Sequence, residues 1–83
     1  MKVIIYTTPV CPYCDMAKQY LKQKGVQFES IDVAADKAKA LEMIKKSGQM
    51  GVPVIDIDGI IVAGFNREQI DAALEHAKGH EKH

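Results

Sequence analysis

The chain of 83 residues has no tryptophan, only two cysteines, three prolines and three histidines, and no surplus of either charge. Each shortage excludes something. Eleven Lys and Arg balance eleven Asp and Glu, and no basic face stands out, which argues against a nucleic acid partner. The longest apolar run, Ile60-Ile61-Val62-Ala63, falls far short of the ~20 residues of a spanning helix, so no membrane partner is expected. Met1-Lys2-Val3-Ile4-Ile5-Tyr6 reads as strand from its start, without the apolar region or cleavage site of a signal peptide, and a cytoplasmic location is the expectation. The histidines, His76, His80 and His83, all lie far from the cysteines, and there is no second cysteine pair, so no metal site is expected.

What is present is an ordinary globular balance, 47% hydrophobic and 27% charged, in a chain too short for two cores. Val3-Ile4-Ile5-Tyr6 lacks polar alternation, the pattern of a strand covered on both faces. A loop over residues 7–10 leads to Pro12, which suits the first position of a helix because its missing N–H has no partner there anyway. Ala17, Tyr20, Leu21 and Lys24 follow at helical spacing, with Gly25 as the stop. Val26, Phe28 and Ile31 predict a second strand ending near Asp32. Residues 36–47 predict a lysine-rich helix with Ala40, Leu41 and Ile44 on one side and Gly48 at its end.

Val54-Ile55-Asp56-Ile57 and Ile60-Ile61-Val62-Ala63 flank Asp58-Gly59, a hairpin signal. Asn66 is placed to cap the last helix, Gln69 stands at the capping-box position, and Phe65 can staple onto Ile70. Ile70, Ala73, Leu74 and Ala77 keep one apolar face. The order β-α-β-α-β-β-α predicts an α/β fold: a four-stranded mixed sheet with three helices, built on a parallel crossover and an antiparallel hairpin. One domain is expected over residues 1–77. Residues 78–83, without apolar anchors, are expected to form a flexible tail.

The chemistry concentrates at Val10-Cys11-Pro12-Tyr13-Cys14. A loop this short cannot staple distant segments, so the pair is poor as a structural device. With Pro12 opening the helix, Cys11 falls at the N-cap, near free backbone N–H groups and the positive end of the dipole. A thiolate, not a thiol, attacks a disulfide, so Cys11 is the expected nucleophile with a depressed thiol pKa. Cys14, one turn later, is the expected resolving thiol, and the short spacing makes its attack effectively intramolecular. Asp15 opposes a second anion nearby, and Lys18 can offset it. A Cys-x-x-Cys pair beside a βαβ pattern is the thioredoxin-like redox signature.

The chain resembles the glutaredoxins and glutaredoxin-like redoxins across residues 1–77. The resemblance rests on Cys11-Pro12-Tyr13-Cys14 after the first strand, Val52-Pro53 before the third, and Gly64-Phe65-Asn66 before the last helix. It implies a thioredoxin fold and a monomeric thiol–disulfide oxidoreductase, with no tightly bound cofactor and glutathione as co-substrate. It also implies a cis Pro53, a backbone contact from Val52 to a bound thiol peptide, and Tyr13 as the aromatic beside the nucleophile. Gly64, Phe65 and Asn66 correspond to the loop that holds the glutamyl end of glutathione.

Disulfide-containing proteins or glutathione mixed disulfides are the implied substrates. Thr8 stands where many glutathione-using members carry lysine, Gly51 where they often carry threonine, and Gly64-Phe65-Asn66 where they often have acidic residues. The Gly-Phe version is similar to redoxins that donate electrons to ribonucleotide reductase and are recharged by thioredoxin reductase. Glutathione and thioredoxin reductase therefore both stand as electron sources. A further alternative implied by the family is a glutathione-assisted iron–sulfur cluster carrier, formed by a dimer through the first cysteine of each copy.

Overall fold

The computed structural model describes residues 2–81. Seven elements follow in the order β1 (Val3–Thr7), α1 (Pro12–Gln23), β2 (Glu29–Asp32), α2 (Lys37–Ser47), β3 (Val54–Ile57), β4 (Ile60–Ala63) and α3 (Arg67–Glu81). The sheet order is β2-β1-β3-β4. β1 and β2 are parallel, joined across α1, whereas β1 with β3 and β3 with β4 are antiparallel. This is the four-stranded mixed sheet with three helices of the thioredoxin fold.

The alternation of β1 divides its side chains between two cores. Val3 and Ile5 face α1 and α3, where Ala17, Leu21, Ile55, Ile57, Val62, Ile70, Ala73, Leu74 and Ala77 are buried. Ile4 and Tyr6 face the other way, onto Met43 of α2 and Val54. Asp58 and Gly59 both have positive φ (52° and 92°), the conformation a two-residue hairpin needs and the reason for this pair between β3 and β4. At α3, the Asn66 side chain accepts the Gln69 N–H at 3.1 Å, the cap its sequence predicts. Phe65 packs against the cluster containing Ile70.

Two expectations change. β2 begins only at Glu29, because pairing with β1 starts at the Ile4–Glu29 register; Val26 and Phe28 join the core from irregular chain. On α2, Met43 is buried and Leu41 is 60% exposed, so the helix is rotated from the face its apolar spacing suggested. The helical backbone of α3 runs to Glu81. No proline interrupts residues 78–81, and each added helical residue gains a backbone bond without needing an apolar anchor. Lys82 and His83 lie outside the described residues.

A polar network fastens α2 to the sheet. The buried Tyr6 hydroxyl donates to Glu42 Oε2 at 2.6 Å, and Lys46 Nζ donates to Tyr6 at 2.8 Å and to Asp56 Oδ2 at 2.7 Å. Asp56 completes its bonds by accepting the Gly59 N–H at 2.8 Å. Burial pushes the Tyr6 hydroxyl above its ordinary 10.0, helped by Glu42. The Tyr6 hydrogen bond holds Glu42 below its ordinary 4.5.

A depressed carboxyl stabilises the fold above its unfolded pKa, and that contribution fades as pH falls. Tyr6→Phe removes a hydroxyl bonded to both Glu42 and Lys46 and should cost about 1.5–3 kcal/mol at neutral pH, the range for hydrogen bonds to charged groups. Below pH 4.5 it should lose stability less steeply than the wild type. Urea melts on both sides of that pH measure this, and parallel slopes would refute the assignment.

Candidate active site

Strand register gathers three loops at one end of the sheet. Tyr6 pairs with Val54, so Pro53 sits where β1 runs out toward Cys11. Val54 also pairs with Ala63, which brings Gly64 to the same end. There the Gly64 N–H donates to the Pro53 carbonyl at 2.7 Å, a direct link between the second and third loops. Gly64 has φ 88° with nothing within 4 Å of where a Cβ would be, so its backbone conformation rather than lack of room calls for glycine. The Val52–Pro53 peptide is cis, as the resemblance implies.

The cysteines stand at the entry to α1. Cys11 is the N-cap residue, extended at φ −151° and ψ 98°, and Pro12 begins the helix. The Cys11 Sγ accepts the Cys14 N–H at 3.2 Å, so a helix-terminal donor points at sulfur, the contact that favours a thiolate. A disulfide joins Cys11 and Cys14, with Cα atoms 5.1 Å apart. Cys14 is 0% exposed, whereas Cys11 is half-buried. Two apolar side chains flank the pair in the open: Val10 at 91% and Tyr13 at 62% exposure.

Of the other residues singled out in the sequence, Pro53 is buried, and Val52 is half-buried against the α2-side cluster. Gly64 and Phe65 are half-buried, and Asn66 is exposed at its cap. Sequence reasoning missed the support behind Phe65. Tyr20 of α1 meets the Phe65 ring edge-on, centroids 6.0 Å apart, and donates its hydroxyl to Asp71 Oδ1 of α3 at 2.6 Å. Lys24 Nζ lies 3.0 Å from the same oxygen. The Tyr20 hydrogen bond, then Lys24, holds Asp71 below the usual carboxylate range. A tyrosine on an apolar helix face was the available signal, since such a hydroxyl needs a partner. Asp56 within an otherwise apolar strand was the signal for Lys46. Among the described residues, no group of three or more His, Cys, Asp or Glu is placed to hold a metal ion.

A mixed sheet of this order, with a cysteine pair joined as a disulfide where its first helix begins, defines a thioredoxin-fold thiol–disulfide oxidoreductase. The sequence model described as Glutaredoxin matches residues 3–62. The chain belongs to the glutaredoxin family. An uncharacterized glutaredoxin-like 8.6 kDa protein in the rubredoxin operon of Clostridium pasteurianum is 49% identical over 71 residues, covering 86% of this chain and 95% of that protein. Glutaredoxin 3 of Escherichia coli strain K12 is 47% identical over 62 residues, 75% of each chain. Among solved structures, the glutaredoxin-like NrdH-redoxin of Escherichia coli superposes with a TM-score of 0.75 at 28% identity, covering 87% of this chain and 93% of that one.

Proposed function

We propose that the protein is a cytoplasmic, monomeric dithiol redoxin that reduces protein disulfides or glutathione mixed disulfides through Cys11 and Cys14. The carrying observation is the asymmetry of the pair: a half-buried Cys11 receiving a helix N–H, and a fully buried Cys14. The Cys11 thiolate attacks one sulfur of the substrate disulfide and expels the other half as a thiolate. The deprotonated Cys14 sulfur then attacks Cys11 Sγ in the mixed disulfide. The Cys11–Cys14 bond forms, the second substrate half leaves as thiolate, and two electrons have passed to the substrate. An external thiol returns them.

Tyr13 contributes an exposed aromatic wall beside the reacting sulfur, and Val52 and Pro53 border a bound thiol peptide through their backbone. Gly64, Phe65 and Asn66 offer a helix N-terminus suited to a carboxylate such as that of glutathione. A second reading is favoured by the Gly64-Phe65 sequence and by the NrdH-redoxin, whose structure was described for a thioredoxin-like activity profile. In that reading thioredoxin reductase supplies the electrons and ribonucleotide reductase is the acceptor.

NADPH-coupled turnover separates the two. Consumption with glutathione and its reductase, on a glutathionylated disulfide, is the expected result. Consumption only with thioredoxin reductase would transfer the protein to the second reading, and none with either would sink both.

A further inference from the structure

Tyr20 has no part in the sulfur chemistry, yet it links the cysteine helix to both Asp71 of α3 and Phe65 of the Gly64–Asn66 loop. Its hydroxyl reaches Asp71 at 2.6 Å, and its ring meets Phe65 at 6.0 Å with planes 77° apart. The preferred edge-to-face geometry gives that contact a direction that an aliphatic side chain would not supply. Lys24 lies over the same ring, 5.3 Å from its centroid, and is paired with Asp71, so the ring is held from three sides. Beyond Phe65 the support continues: Gly64 donates to the Pro53 carbonyl at 2.7 Å. One continuous set of contacts therefore runs from α1 through Tyr20 and Phe65 to Gly64 and Pro53. A surface groove of about 270 Å³, lined by Met16, Gln19, Tyr20, Gln23, Phe65 and Arg67, opens beside the two rings. Without the Tyr20 ring, Phe65 has open space to turn into.

We propose that Tyr20 is a positioning residue: its ring fixes Phe65 and thereby the gap between the cysteine helix and the Gly64–Asn66 loop in which substrate is held. The inference rests on the reading of that loop as a substrate border. Its effect belongs to substrate capture and not to the reactivity of Cys11, because Tyr20 lies more than two turns along α1 from the N-cap.

The test is steady-state kinetics on a glutathionylated peptide, or on insulin disulfides if only thioredoxin reductase supports turnover. Tyr20→Leu should raise KM about three- to tenfold, with kcat and the rate of Cys11 alkylation within twofold of wild type. Tyr20→Phe, which keeps the ring, should restore KM. Phe65→Ala should raise KM to a similar extent, and the double variant should be no worse than Phe65→Ala alone, since both act through one contact. An unchanged KM in Tyr20→Leu beside a raised KM in Phe65→Ala would overturn the role of Tyr20 and leave the loop reading intact. Multiplicative effects in the double variant, or Cys11 alkylation shifted as much as KM, would also overturn it. An unchanged KM in both single variants would remove the loop reading itself, and this inference with it.

Discussion

Cys11→Ser should abolish disulfide reduction, lowering turnover to the uncatalysed background while the protein stays folded. The size of the effect follows from the chemistry. A hydroxyl at this position is not ionised at neutral pH, so the attacking sulfur anion is lost, not weakened. The helix N–H now aimed at Cys11 Sγ from 3.2 Å would meet an oxygen of similar acceptor character, so the cap itself is kept. Cys14→Ser should behave differently. It keeps the attacking thiolate and loses only the resolving step, so reactions that need one cysteine, such as removal of glutathione from a mixed disulfide, should persist. Reduction of protein disulfides should stall at a covalent adduct visible by mass spectrometry. Normal turnover by Cys11→Ser, or an adduct trapped on Cys14 in that variant as readily as Cys14→Ser traps one on Cys11, would overturn this assignment of roles. Alkylation of the reduced protein at neutral pH gives an independent reading, because half-buried Cys11 should react before fully buried Cys14.

The largest loss of stability is expected at Ile55, which has no exposed surface and pairs with Ile5 on one side and Val62 on the other. Ile55→Ala removes buried methyl and methylene groups and leaves a cavity between the sheet and helices α1 and α3, a loss of about 2–5 kcal/mol. A chain of 83 residues has about 4–12 kcal/mol of stability at the usual ~0.05–0.15 kcal/mol per residue, so this single change removes a large share of it. The urea midpoint should fall by about 1 M or more with an unchanged slope. Leu41→Ala is the matched control: with 60% of its surface exposed, it should stay within about 0.5 kcal/mol of wild type. Equal losses at the two positions would mean that α2 packs on the face its apolar spacing suggests and not on Met43.

That comparison also marks where sequence was legible. The hairpin could be read because Asp58-Gly59 states its own backbone requirement, and the last helix because Asn66 and Gln69 state its start. The cysteine pair could be placed because a proline within a helix is tolerated only in its first turn, and Pro12 precedes a helical pattern. The face of α2 was ambiguous: Ala40, Leu41, Met43 and Ile44 are consecutive enough to support two rotations, and only the partner surface around Tyr6 and Val54 selects one. β2 was read too long because Val26 and Phe28 are core residues, and burial alone does not reveal whether a neighbouring strand pairs with them. At the site, Pro53 and Gly64 were each recognisable, but the bond between them spans two loops and follows only from register. The Tyr20–Asp71 contact, 51 residues apart in sequence, left a single trace: a phenol on an apolar face.

The hairpin turn lies at the end of the sheet opposite to the cysteines, since Ile57 pairs with Val3. Lys2 and Asp58 close that end reciprocally: the Asp58 N–H donates to the Lys2 carbonyl at 2.9 Å, and the Lys2 N–H donates to Asp58 Oδ1 at 3.1 Å. The molecule thus has a working pole and a sealed one. A dye, surface linker or fused reporter attached near the sealed pole would leave the reacting sulfurs facing bulk solution, the orientation an electrode-mounted redox sensor requires.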